Sequence, residues 1–144
     1  MKFYSLMFSI VLFVTAFCAA CATGPVNIPD ELTAAELIQR GQEASDRNRY
    51  NVALQYYQAL LNRNPTNIDL ICAAEYEIAF IHYKQKKYTE ARGEFNVLLG
   101  RYETPDAELL PQQFKKLSNI VLERMAEKEK QKNNPLFFWI KKPT

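Results

Sequence analysis

The sequence carries one internal repetition that narrows the possible folds sharply. Tyr50-x-x-Ala53-x-x-x-Tyr57-x-x-Leu60-Leu61 recurs as Tyr88-x-x-Ala91-x-x-x-Phe95-x-x-Leu98-Leu99, at a constant offset of 38 residues. Apolar and small residues three and four apart mark one face of a helix, so both copies read as helices. Self-similarity at this period is the mark of stacked helical units, each too small to bury its apolar face alone. Gly41 falls on Ala79 at the same offset, which places a small residue in the helix before each copy.

The punctuation between these segments agrees with helical hairpins. Thr33-Ala34-Ala35-Glu36 has the spacing of a capping box, so a helix is expected from there to about residue 47. Asn48-Arg49 reads as a tight link and residues 51–62 as a second helix. Asn64-Pro65 stops it, because proline disfavours helix in the residue before it. A third helix is expected over 69–85, a link at Lys86-Lys87 and a fourth helix over 89–100. A fifth is expected from Pro111, favoured in a first turn, to Lys132. In it Leu110, Phe114, Leu117, Val121 and Met125 make one apolar stripe. No stretch alternates at period two. The expected class is therefore all-α, with residues 33–132 as the helical domain.

The residues quoted resemble the tetratricopeptide repeat, over about residues 34–102. Gly41, Ala53, Tyr57 and Pro65 fall at that family's spacing in the first unit, and Ile78-Ala79, Ala91 and Phe95 in the second. Arg40 and Glu103 depart from it, standing where the family prefers Leu and Pro. The resemblance implies a short solenoid of two helix-turn-helix repeats with the last helix as cap. Small residues let the paired helices approach, and Tyr57 and Phe95 fill the gap to the next unit. It further implies a groove lined by the first helix of each unit. The lining would be Ala35, Ile38, Gln42 and Ser45, then Ala73, Tyr76, Phe80, Tyr83 and Lys84. Of these, Ile38, Gln42, Tyr76, Phe80 and Tyr83 are the expected partner-binding residues. Ile38 and Phe80 occupy places where some family members grip a peptide carboxylate, which argues for an apolar, aromatic groove instead. The same aromatic row, at i, i+4 and i+7, also suits a core stripe against another helix.

The first two dozen residues stand apart. Met1-Lys2 and a long apolar run make residues 1–20 a secretory signal. Cys21 follows small residues and resembles the lipidated cysteine of a bacterial lipoprotein, although Cys18 occupies the place usually held by an aliphatic residue. Lipidation there would add acyl chains such as palmitate, with residues 21–32 as lipidated N-terminus and tether. Ordinary cleavage to a freely soluble exported protein, or an uncut span over residues 3–22, are the other readings. All three place the body outside the cytoplasm, which makes nucleic acid a poor partner.

Cys72 has no evident disulfide partner and reads as a small buried apolar residue. Charge is uneven. Residues 22–110 carry a net −4, and residues 111–144 a net +5. The tail, residues 133–144, holds Phe137, Phe138 and Trp139 before Lys141-Lys142, suited to the groove of its own chain, a partner or a membrane interface.

Catalytic chemistry has no foothold in the pattern. His82 is the single histidine, four glycines make no phosphate loop, and no spacing suggests a metal site or cofactor. The expected function is a membrane-tethered adaptor binding another protein or peptide of the bacterial cell envelope, not an enzyme. The analogy is to the helical-repeat lipoprotein subunit of the outer-membrane barrel-assembly machinery. A repeat lipoprotein that binds an apolar ligand or serves solute transport is the alternative. Inner or outer membrane and the oligomeric state stay open.

Overall fold

The computed structural model describes residues 24–133, and those residues are all-helical. Five helices follow in order: α1 (Ala34–Asp46), α2 (Tyr50–Arg63), α3 (Ile68–Lys84), α4 (Tyr88–Arg101) and α5 (Gln112–Asn133). A single 3-10 turn, Ala107–Leu109, lies in the connection before α5. No strand occurs among the described residues. The expected signal over 1–20, Cys21, and Phe137, Phe138 and Trp139 of the tail lie outside them. Among the described residues no helix is long and apolar enough to cross a membrane.

Local rules set the helix ends. The Thr33 hydroxyl accepts from the Glu36 backbone N–H at 3.2 Å. The Glu36 carboxylate accepts from the Thr33 N–H at 2.8 Å. This reciprocal pair satisfies two of the donors that a helix start leaves orphaned. The two hairpin links are built alike. Asn48 and Lys86, 38 residues apart, both take a left-handed backbone, with φ of 56° and 63°. After each, the next N–H reaches back to a helix carbonyl, Arg49 to Ala44 at 2.8 Å and Lys87 to His82 at 3.0 Å. A left-handed residue closing a helix end in this way turns the chain back within three residues. The repetition in side chains is thus also a repetition in backbone.

Packing follows the small residues. Ala53 and Ala91 are both fully buried, as are Tyr57 and Phe95, and Leu60 and Leu98. A side-chain carbon added at Gly41 would sit 2.8 Å from the Tyr57 ring. Only glycine lets α1 lie this close on α2. Two apolar clusters result. One joins Leu37, Ala44, Val52, Ala53, Tyr57 and Leu60 to Ala74 and Ile81 of α3. The other joins Cys72, Tyr76 and Ala79 of α3 to Ala91, Phe95 and Leu98 of α4 and to Val121 and Met125 of α5. Helix α3 therefore feeds both clusters and is apolar on two sides, because helices cover it on two sides. Full burial of each large apolar side chain contributes roughly 1.5–3 kcal/mol.

Three details differ from the sequence expectation. The stripe of α5 that faces inward runs through Phe114, Ser118, Val121 and Met125, and Leu117 is 40% exposed. At about 100° per residue Leu117 and Ser118 flank the line of Phe114 and Val121 equally, and packing against the neighbouring helices turns Ser118 inward. Pro111 precedes α5, and its carbonyl accepts from the Phe114 N–H at 3.1 Å. The segment expected to be a free tether is fastened over its second half. The Val26 N–H donates to Gln55 at 2.7 Å. Arg63 donates to the carbonyls of Ile28, Pro29 and Asp30 at 3.2, 3.0 and 3.4 Å. Val26, Ile28 and Leu32 pack on the first cluster. Gly-Pro composition signals irregular backbone, and it does not signal whether side chains elsewhere will hold that backbone down.

Candidate functional site

Side chains on the open face between α1 and α3 come from two helices that are not sequence neighbours. Helix α3 presents Ala73, Glu77, Phe80 and Lys84, a row spaced four, three and four residues apart. All four are partly buried. Helix α1 faces them with Ile38, Gln42 and Ser45. The Lys84 ammonium donates to the Ser45 hydroxyl at 2.9 Å, which ties the helices together at one end. It also lies 5.2 Å from the Phe80 ring centroid, a cation–π distance.

Glu77, in the middle of the row, is less well provided for. None of the four ion pairs among the described residues involves it. Burial pushes its carboxyl above the usual carboxylate range, Lys84 and Gln42 pull it back, and Asp46 adds to the rise. Beneath it lies Tyr57, fully buried, whose hydroxyl has no hydrogen-bond partner among the described residues. Burial raises the phenol's pKa, and the negative charges of Glu77 and Asp46 raise it further, so its hydroxyl lies in their field. A buried hydroxyl without a partner costs about 1–3 kcal/mol relative to a satisfied one. Glu77 thus stands half-buried with Gln42 and Lys84 acting on it, and the Tyr57 hydroxyl lies within the core without a partner.

The aromatic row expected to line a groove is placed differently. Tyr76 is 8% exposed and belongs to the second cluster. Its ring stacks on Phe80 at 5.8 Å and packs against Phe95 at 5.8 Å and Phe114 at 5.6 Å. Tyr83 stacks on Phe80 and accepts from Lys128 of α5 at 3.0 Å. Helix α5 thus covers much of this row. Of the expected groove residues, Tyr76 is turned into the core and Tyr83 toward α5, Phe80 packs beside the second cluster, and Gln42 is exposed near Glu77. Ile38 sits at the edge of the first cluster.

Glu77 escaped the sequence reading. An isolated acidic residue on an amphipathic helix reads as solvated surface. The available signal was its place between Ala73 and Lys84 on a row that already contained Phe80.

A second concavity of about 430 Å³ lies on another side, lined by Glu75, Ile78, Thr89, Glu90, Gly93, Glu94 and Val97. Two of its three carboxylates are already engaged. Arg101 donates to Glu75 at 2.8 and 2.6 Å, and His82 pairs with Glu94 at 2.7 Å. No group of metal-ligating side chains gathers among the described residues.

Comparison with known proteins adds a bacterial relative. The chain is 36% identical over 111 residues to an uncharacterized protein of Treponema pallidum (strain Nichols). The match covers 76% of this chain and 44% of that protein, so the chain spans less than half of its relative's length. No family model and no solved structure matches the chain.

Proposed function

We propose that the chain is an adaptor of the bacterial cell envelope, tethered through Cys21, whose tetratricopeptide-like hairpins hold a segment of another envelope protein on the α1–α3 face. The observation that carries this reading is the polar row between α1 and α3. It sets the half-buried Glu77 carboxylate and the Lys84 ammonium beside the partly buried Phe80 ring, a mixture of charge and apolar surface that the helices do not fully cover. The duplicated links and the nested Gly41, Ala53 and Ala91 are what a repeat of this kind requires. A relative in Treponema pallidum agrees with a bacterial setting. The signal-like start and Cys21 motivate the membrane attachment.

The test is photo-crosslinking in cells. A benzophenone side chain replaces Phe80 on the open face, and Val97 on the opposite side serves as control. A discrete crosslinked protein from position 80 and not from 97 is the expected result. Identical or absent products from both positions refute the reading. Cys21→Ala should move the protein from the membrane to the soluble fraction after cell breakage, and continued membrane retention refutes the lipid tether.

A further inference from the structure

The concavity between α3 and α4 lies close to the point where the chain leaves α5. Ile78 and Val97 give this opening of about 430 Å³ apolar walls, and Glu75, Glu90 and Glu94 also line it. Val97 is 65% exposed, a large apolar side chain left uncovered among the described residues. Arg101 and His82 hold Glu75 and Glu94, while none of the four ion pairs among the described residues includes Glu90. The opening is therefore apolar within and carries spare negative charge. Helix α5 runs antiparallel to α4. Lys115 near its start lies 5.8 Å from the Tyr102 ring, and Glu129 near its end accepts from Arg92 at 2.8 Å. Four further residues advance about 6 Å, so the end of α5 at residue 133 comes level with Tyr88, the first residue of α4. Lys128 lies 5.8 Å from the Tyr88 ring, which agrees. Thr89 and Glu90, at the mouth of the opening, come next in the chain.

We propose that the opening between α3 and α4 is the docking site of this chain's own C-terminal segment, residues 135–142, with Phe138 and Trp139 against Ile78 and Val97. Reach selects this site. Val97 lies nine residues along α4 from Tyr88, about 14 Å, and crossing the helix adds about 10 Å sideways, so the straight path is roughly 17 Å. Six extended residues from the end of α5 to Trp139 span roughly 20 Å. The other exposed leucines lie farther off. Leu117 is sixteen residues back along α5, about 24 Å, and Leu109 is more distant still. Charge selects the same side. On the open face Lys84 and Lys128 stand 5.2 and 4.8 Å from the Phe80 and Tyr83 rings, where they repel Lys141 and Lys142. The carboxylates around the α3–α4 opening attract those lysines. Docked there, the segment covers Val97 and leaves Phe80 free, so the adaptor reading is tested separately.

The experiment uses the full chain in detergent micelles, with Cys18 and Cys21 changed to serine so that only an introduced pair reacts; Cys72 is fully buried. Phe138→Cys combined with Val97→Cys should form a disulfide within one chain under mild oxidant. It should form about 10-fold faster than the bridge between Phe138→Cys and Phe80→Cys. Trp139 is the single tryptophan, so its fluorescence reports the same docking. Val97→Asp should shift its emission to the red and raise quenching by acrylamide several-fold, and Leu117→Asp should change neither. Val97 is exposed, so its replacement spares the fold, which circular dichroism checks. A 97–138 bridge that joins two chains makes a second copy the occupant and overturns the proposal. A faster bridge to position 80 puts the segment on the open face and overturns the site. Trp139 emission that ignores Val97→Asp, and that brominated phosphatidylglycerol vesicles quench, places the segment in the membrane and overturns the docking. Absence of every bridge, with Trp139 equally quenched in wild type and Val97→Asp, overturns it too.

Discussion

Gly41→Ala tests how closely the hairpins nest. The added methyl carbon would lie 2.8, 2.9 and 3.1 Å from three carbons of the Tyr57 ring. Contacts below 3.0 Å force movement, and this ring has none to give because Tyr57 is fully buried. Overpacking of this kind costs about 1–3 kcal/mol. Alanine in a helix interior returns about 0.8–1.0 kcal/mol relative to glycine. The net expectation is a loss of up to about 2 kcal/mol, toward the upper end because the buried ring cannot yield. Gly93 in α4 supplies a control inside the same molecule, since nothing lies within 4 Å of an added carbon there. Gly93→Ala keeps only the helix gain and should stabilise by about 0.5–1 kcal/mol. Urea unfolding followed by circular dichroism should therefore shift the two midpoints in opposite directions at constant slope. In thermal unfolding, 1 kcal/mol corresponds to roughly 4–8 °C for a domain near this size. Tyr57→Leu in the Gly41→Ala background should recover part of the loss, because the two sites share one contact. A Gly41→Ala variant as stable as the wild type would refute the claim that glycine sets the α1–α2 distance.

Lys86→Gly should stabilise by about 0.5–1 kcal/mol, because lysine is held at a positive φ that glycine adopts freely; a lowered urea midpoint would contradict the left-handed link. Cys72 is fully buried and its thiol pKa is raised, first by desolvation, so a thiol reagent should label the native protein only as fast as it unfolds. Prompt labelling without unfolding would place Cys72 at the surface. Burial raises the Glu77 carboxyl above its unfolded value, so the charged form opposes folding. Glu77 contributes most favourably below the unfolded pKa and loses that contribution as pH rises through the folded one. Glu77→Gln should accordingly be more stable than wild type near pH 7, with the gap closing toward pH 4; a gap that widens on acidification would refute the sign.

The sequence made the hairpins legible because their signals are local. A capping box, the proline break at Pro65 and small residues at fixed places each act within a turn or two of the chain. The face of α5 was less legible. Leu117 outranks Ser118 on hydrophobicity, and only the contact with α3 and α4 decides which of two adjacent residues turns inward. The aromatic row of α3 shows the same limit. Periodicity put Tyr76, Phe80 and Tyr83 together correctly, but whether a row is groove or core depends on what lies over it. Here α5 covers Tyr76 and leaves Phe80 partly open. Glu77 was illegible for a different reason. Its environment is made by Gln42 and Tyr57, residues 35 and 20 positions away, and no window along the chain contains all three.

The strap laid by Gln55 and Arg63 has a consequence for where the body can stand. Counted from Cys21, only residues 22–25 precede the first fastened position, Val26. From Cys21 to Val26 the chain therefore reaches about 18 Å at most. With acyl chains on Cys21, the helices would ride against the headgroups instead of swinging on a long leash. So moored, it would meet chiefly those neighbours that share its membrane or press close to it.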